Sequence, residues 1–227
     1  EARRDVSSTS SGRRNKINMS KTVRIGIIGL GGIGAYHVSY LRAQTVKRCE
    51  LTAVCDADHG RLSDFGEIGT FTKSSELINS GLVDAVLIAT PHPSHTAIGV
   101  EALGSGLHVL VEKPISVHKA DCERLLAAHT NPGQVFAAMF NLRVSPTYLK
   151  IKHMIDSGEL GKITRVTWLL TDWYRTDVYY ASSTWRGTWK GEGGGLLMNQ
   201  CPHQLDMLYW LFGMPKKLRA FCRFGAY

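Results

Sequence analysis

No stretch of this sequence is apolar over the roughly 20 consecutive residues that a membrane helix needs, so a helical span is not expected. Cysteine is sparse: Cys49, Cys55, Cys122, Cys201 and Cys222 are odd in number, with no Cys-x-x-Cys and no close pair. That argues against a disulfide framework and for a reducing compartment, the cytoplasm. Zinc-ligand spacing is missing too, since His92 and His95 share a loop without a cysteine companion, and no metal is expected. Nor is there a basic run interleaved with aromatics, so nucleic acid is a poor partner despite a formal net charge of +8. Part of that charge sits in the first twenty residues, where Arg3, Arg4, Arg13, Arg14 and Lys16 oppose only Glu1 and Asp5. The rest is spread along the chain as ordinary solvated side chains.

The segment from Glu1 to Asn18 lacks an apolar stretch after either Arg-Arg pair, which rules it out as an export signal. Met19-Ser20-Lys21 reads as a translation start, and residues 1–20 are expected to form a disordered leader.

What the chain does have is apolar content, 44% of 227 residues, enough for the core of one large or two modest domains. Its organising stretch is Val23-Arg24-Ile25-Gly26-Ile27-Ile28-Gly29-Leu30-Gly31-Gly32-Ile33-Gly34, an apolar strand that stops in glycines and restarts as a helix. Gly29, Gly31 and Gly34 stand where a tight turn, a close approach to pyrophosphate and helix-on-strand packing each exclude a Cβ. The helix beginning near Gly32 would aim free N–H groups at phosphates. A Gly-x-Gly-x-x-Gly alone is weak evidence, but a second strand, Leu51 to Cys55, follows and ends in Asp56, 22 residues beyond Gly34. A carboxylate there accepts hydrogen bonds from ribose hydroxyls and repels a 2′-phosphate, so NAD is favoured over NADP.

Further strands are expected at Thr70–Thr72, Asp84–Ala89, Leu107–Val111 and Gln134–Phe140. Helices are expected at 57–66, from a Ser74 cap to Ile78, at His95–Leu103 and at His118–His129. Strands and helices alternating at this spacing predict a Rossmann-type doubly wound parallel sheet over residues 21–141. Gly29, Asp56, Thr90, Lys113 and Asn141 then lie at the carboxyl ends of strands, the edge where ligands bind. From residue 142 to 227 the pattern predicts a partial α+β domain with an open, mostly antiparallel sheet. It has a helix from Pro146 to Asp156, strands at Lys162–Trp173 and Lys217–Phe224, and a helix from Leu196 or Pro202 to Phe212. With two strands at most, that second sheet reads as incomplete. Between them runs a long irregular stretch rich in Tyr, Trp, Gly and Arg, 174–195, whose length and aromatics argue for function.

Two groups could do chemistry. Lys113, between Glu112 and Pro114 at a strand end, could stabilise an alkoxide as hydride leaves carbon. His203 follows a glycine run, Gly193 to Gly195, and on a continuous helix would share a face with Asn199, with Asp206 one turn beyond. An imidazole near its reference pKa of about 6.5 accepts a hydroxyl proton at neutral pH more readily than a lysine near about 10.4. His203 is therefore the better base and Lys113 the better electrostatic clamp. Pro202 would interrupt such a helix, which could instead begin there.

Gly29-Leu30-Gly31-Gly32-Ile33-Gly34, Val54-Cys55-Asp56, Ala89-Thr90-Pro91 with His95, Glu112-Lys113-Pro114 and the glycine run leading to Asn199 and His203 resemble the Gfo/Idh/MocA oxidoreductases. The resemblance covers residues 21–227. It implies NAD(P)-dependent oxidation of sugar, cyclitol or sugar-acid hydroxyls, catalysis by Lys113 and His203, and a homo-oligomer built through an open C-terminal sheet. It further implies that Gly32, Ile33, Thr90, Pro91, His95, Glu112 and Asn141 contact the cofactor. Arg143, Trp185, Arg186 and Asn199 would contact the substrate. Many members carry aspartate where this chain has Asn199, which makes Asn199 a positioner rather than a charge. Family members are also longer, which implies a C-terminally truncated chain. Two other readings use the same residues: an NAD-dependent glycosidase, separable by the absence of net NADH release, and a non-catalytic dinucleotide-binding regulator or inactive fragment. Retention of Lys113 and His203 counts against the second. Asp56→Ala is expected to weaken NAD binding more than NADP binding in a fluorescence titration, and equal losses would remove Asp56 from the ribose.

Overall fold

The computed structural model describes residues 21–171 and 174–221. Six strands form one parallel sheet: β1 (Val23–Ile28), β2 (Cys49–Cys55), β3 (Gly69–Phe71), β4 (Ala85–Ile88), β5 (His108–Val111) and β6 (Phe136–Ala138). Their order is β3-β2-β1-β4-β5-β6. Each is a short apolar run because a parallel sheet is covered on both faces. Alternation then sends neighbouring side chains to opposite cores. Ile28, Cys55, Val86, Ile88 and Val109 pack with Leu77, Ile98 and Leu125 on one face. Ile27, Val54 and Leu87 pack with Val38, Leu41 and Phe65 on the other. The first face is covered by α2 (Ser74–Ile78), α3 (His95–Gly104) and α4 (Lys119–Ala128), the second by α1 (Gly32–Arg42) and a 3-10 helix at His59–Phe65.

Strand order reverses between β1 and β4, the switch point where such sheets bind ligands. Register brings the relevant ends together there: Ile28 lies beside both Cys55 and Ile88, and Ile88 beside Val111. The next residues along each strand, Gly29, Asp56, Ala89 and Glu112, therefore share one rim. A bidentate pair from Arg24 to Asp84 ties the opposite end of β1 to the start of β4, Nε and Nη2 donating at 3.2 and 2.9 Å.

Beyond β6 the described chain is helical: α5 (Pro146–Asp156), α6 (Asp177–Ala181), α7 (Trp189–Glu192), α8 (Leu196–Asn199) and α9 (Pro202–Phe212). The expected strand at 162–173 is corrected. Residues 162–171 form no strand, because no described segment pairs with them to exchange backbone hydrogen bonds, while 172–173 fall outside the described residues. Leu169 is left 80% exposed, although Trp168 stacks on Tyr148. Residues 217–221 are likewise unpaired, and the remainder of that expected strand lies outside the described residues. Ser74 is helical rather than a cap: Lys73 holds the cap position and no side chain caps α2. No helix among the described residues is long and apolar enough to cross a membrane.

The glycine corner is held by steric necessity. A Cβ on Gly34 would lie 1.8 Å from the Gly29 carbonyl oxygen, so α1 packs on β1 only if position 34 is glycine. Gly29 itself turns at φ +96°, in the left-handed region. Gly34→Ala is expected to cost about 3 kcal/mol, since backbone rather than a flexible side chain must give way. A thermal melt should show Tm lower by about 6–12 °C, and an unchanged Tm would refute the packing argument.

Candidate active site

At the glycine corner, Gly29 N–H donates to the Cys55 carbonyl at 2.7 Å, and Leu30 N–H to Asp56 Oδ2 at 2.7 Å. Asp56 thus fastens the loop from the neighbouring strand, while its Oδ1 accepts from Asp58 N–H at 2.9 Å. Arg61 reaches over this corner, its Nη1 3.5 Å from Asp56 Oδ2. In contrast to Gly34, a Cβ on Gly31 would meet only Arg61 Nη1 at 3.6 Å, and one on Gly32 would meet nothing within 4 Å. The first turn of α1 carries neither a capping side chain nor an acid. Open space over bare glycines at the N-terminus of an eleven-residue helix suits a pyrophosphate, so the residues present fit a dinucleotide. Ile33 is exposed in that turn, 45%, where it could cover a bound ligand.

Lys113 and His203 come from opposite halves of the chain and lie near enough for the Lys113 charge to act on His203. Lys113 follows β5, and its Nζ donates to the Asn199 carbonyl at 2.9 Å. That carbonyl is available because the predicted continuous helix is broken. α8 ends at Asn199 and α9 starts at Pro202, so the Asn199 oxygen has no backbone partner at His203. Burial pushes the Lys113 ammonium below the ordinary lysine range, with the Glu112 charge opposing. Burial, followed by the Lys113 charge, also lowers His203 below the ordinary imidazole value. The His203 ring sits edge-on to Phe140, and its buried Nδ1 has no hydrogen-bond partner. An unpaired buried nitrogen of this kind is costly unless another molecule engages it.

The other expected residues divide. Thr90 follows β4 and its hydroxyl accepts from Ser94 Oγ at 2.7 Å; Pro91 beside it and Asn141 after β6 are exposed. Trp185 and Arg186 do come to the site. The Trp185 indole meets the His92 ring edge-on at 5.3 Å, and Arg186 lies over the Tyr179 and Trp185 rings at 4.3 and 4.8 Å. Arg186 also donates to the Tyr179 hydroxyl, while its Nε is buried without a partner.

Four of the expected residues are engaged by protein partners. His95 is fully buried, its nitrogens 2.9 Å from the Pro114 carbonyl and 2.8 Å from that of Thr90, so it braces the loops after β4 and β5. Burial lowers its pKa, and the neutral ring donates to one of those carbonyls. Glu112 is buried with both oxygens engaged, one by His37 and one by the Lys113 N–H. Arg143 is taken up by Asp206, donating through Nε and Nη2 at 2.8 and 2.6 Å, so Asp206 does not orient His203 and Arg143 has no free fork for substrate. Asn199 donates its side-chain amide to Glu192, and its main-chain carbonyl accepts from Lys113.

Sequence reasoning missed three buried polar residues here. Glu192, an acid directly before the glycine run, holds Asn199. His92 accepts burial as a neutral ring, its pKa pushed down to about 4, and its Nδ1 donates to the Glu192 carbonyl at 3.1 Å. His37 shares the buried face of α1 with Gly34, Val38 and Leu41, which was the signal available for it.

Fold and rim together define a dinucleotide-binding doubly wound protein with an ammonium and an imidazole at its switch point. The chain belongs to the GFO/IDH/MocA family: residues 23–140 match its domain described as "Oxidoreductase family, NAD-binding Rossmann fold", and 148–226 match the GFO/IDH/MocA C-terminal domain. Inositol 2-dehydrogenase of Salmonella typhimurium is 35% identical over 147 residues, covering 62% of this chain and 44% of that protein. The WlbA dehydrogenase from Bordetella pertussis, solved with NADH and UDP-GlcNAcA, is 30% identical at a TM-score of 0.75, covering 85% of this chain and 59% of that one. Scyllo-inositol dehydrogenase from Lactobacillus casei, 24% identical at a TM-score of 0.68 over 85% of this chain and 57% of that one, shares the fold. The chain spans about half the length of the relatives it matches.

The open glycines separate binding from stability. Gly31→Ala is expected to leave Tm within about 2 °C of wild type, consistent with a substitution away from core packing, while weakening NAD at least about tenfold by calorimetry. Undiminished affinity would show that the pyrophosphate lies elsewhere.

Proposed function

We propose that this protein is an NAD-dependent dehydrogenase acting on a secondary hydroxyl of a sugar, cyclitol or sugar acid. The observation that carries this reading is the meeting of Lys113 and His203 at the switch-point rim, one fixed on a main-chain carbonyl and the other with an unpaired buried nitrogen. Bound NAD would supply the hydride acceptor. Gly31, Gly32 and the first turn of α1 would hold its pyrophosphate, and Asp56 its adenosine ribose. Thr90, Pro91 and Asn141 would line the rim beside it.

Lys113, poor in water and cationic, would bind the reacting hydroxyl and offset the negative charge that develops on its oxygen. His203 would take the hydroxyl proton. Its lowered pKa favours this, because a base must be neutral before it can accept. The Trp185 face would stack on the apolar side of a ring, and Arg186, with an unengaged Nε–H, would meet its polar side. The UDP-GlcNAcA bound by one relative and the scyllo-inositol bound by another support substrates of this size and polarity. We divide the cofactor half from the substrate half near residue 141. We assign the protein to the cytoplasm, in keeping with its unpaired Cys49, Cys55, Cys122 and Cys201, and expect it to act as a homo-oligomer.

The test is steady-state oxidation of a panel of sugars, cyclitols and sugar acids, followed by NADH absorbance. Lys113→Ala is expected to lower kcat/KM by about 10²–10³-fold and His203→Ala by about 10²–10⁴-fold. With wild type, kcat/KM should fall only as pH drops through the lowered His203 pKa, placing the acid limb below 6.5. Variants within twofold of wild type on a substrate that is turned over would end this assignment.

A further inference from the structure

One buried polar chain beside the site has no part in the mechanism above. His37 lies on α1 at 3% exposure, and both ring nitrogens are engaged. Nε2 is 2.7 Å from Glu112 Oε1 and Nδ1 is 2.6 Å from the Tyr40 hydroxyl. A carboxylate only accepts, so Nε2 carries the proton toward Glu112, and in the neutral ring Nδ1 accepts from Tyr40. Glu112 is 6% exposed, and its second oxygen accepts the Lys113 N–H at 3.2 Å. A carboxylate this deeply buried persists only where donors hold it. The side chain that does so belongs to the helix whose N-terminus faces the open glycines.

We propose that His37 is a positioning residue that fixes the Glu112 carboxylate as the buried counter-charge of Lys113, so that the ammonium persists in a site poor in water. The inference rests on the reading of Lys113 given above and extends it to a residue that touches neither cofactor nor substrate. The charged and titratable groups facing Lys113 are Glu112 and Glu192, which favour the ammonium, and Arg175, Arg186, His92 and His203, whose positive forms oppose it. Burial opposes it as well. With four cationic or potentially cationic neighbours on one side and burial added, removing one of two carboxylates should shift the balance measurably. Glu192 already bonds Asn199, which leaves Glu112 as the carboxylate whose placement His37 decides.

The experiment is competitive acylation of lysines with acetic anhydride across a pH series, with the Lys113 peptide followed by mass spectrometry. It reads the protonation of Lys113 directly and requires no turnover. Glu112→Gln and His37→Phe are expected to lower the pH of half-acylation at Lys113 by about one unit, the low end for loss of an adjacent opposite charge. His37→Gln, whose amide N–H replaces the Nε2 donor, should stay within a few tenths of wild type. A wild-type midpoint in folded Glu112→Gln, or His37→Gln shifted as far as His37→Phe, would overturn the proposal. If His37→Phe fails to fold by circular dichroism, Glu112→Gln and His37→Gln decide alone. Failure of the catalytic reading of Lys113 would appear separately, as NAD-linked turnover of a probe such as myo-inositol surviving in Lys113→Ala, and would leave these midpoints untouched.

Discussion

The hydrogen bond from the Lys113 ammonium to the Asn199 carbonyl ties two distant pieces of chain together at the candidate site. One end belongs to the rim of a parallel sheet whose position is set by register and by two hydrophobic cores. The other belongs to a short helix in a region with no sheet among its described residues. The His92 bond to Glu192 runs parallel to it, and Val117 packs against Gly193, where a Cβ would come within 2.4 Å. Electrostatics, hydrogen bonding and steric fit thus converge on the same seam. The seam is where the mutual charge effects of Lys113, His203, Glu112 and Glu192 are felt, because little water is present to screen them.

The sheet half was legible in the residues themselves. Glycine positions that forbid a Cβ, buried strands that are apolar throughout and an acid at the end of the second strand are local signals, and each survives translation into coordinates. The strand bounds differ by one or two residues, as ends do, and the 57–66 helix is a 3-10 turn from His59 to Phe65. The stretch at 162–171 is different in kind. Its alternation is real, but a strand is a relationship between segments, and no described segment lies alongside to complete it.

Of the candidate site, Lys113 and His203 were readable and their supports were not. Lys113 and His203 announce themselves by residue type at the end of a strand and after a glycine run. Whether Arg143 is free or held by Asp206, and whether the second His95 nitrogen meets the Pro114 carbonyl, depends on partners 63 and 19 residues away, which no local pattern encodes. Pro202 was the exception. Its missing N–H marked a helix start, and the break it makes at residues 200–201 is what leaves the Asn199 oxygen to a lysine.

Because that acceptor is main-chain oxygen, every amino acid at position 199 would bring it along. The side chain there can consequently change without removing the acceptor itself, and the amide that now meets Glu192 could give way to a smaller group while the lysine kept its partner. Lineages built on this break would inherit a fixed anchor and an editable wall, a division of labour that lets substrate preference drift without the chemistry having to be reinvented.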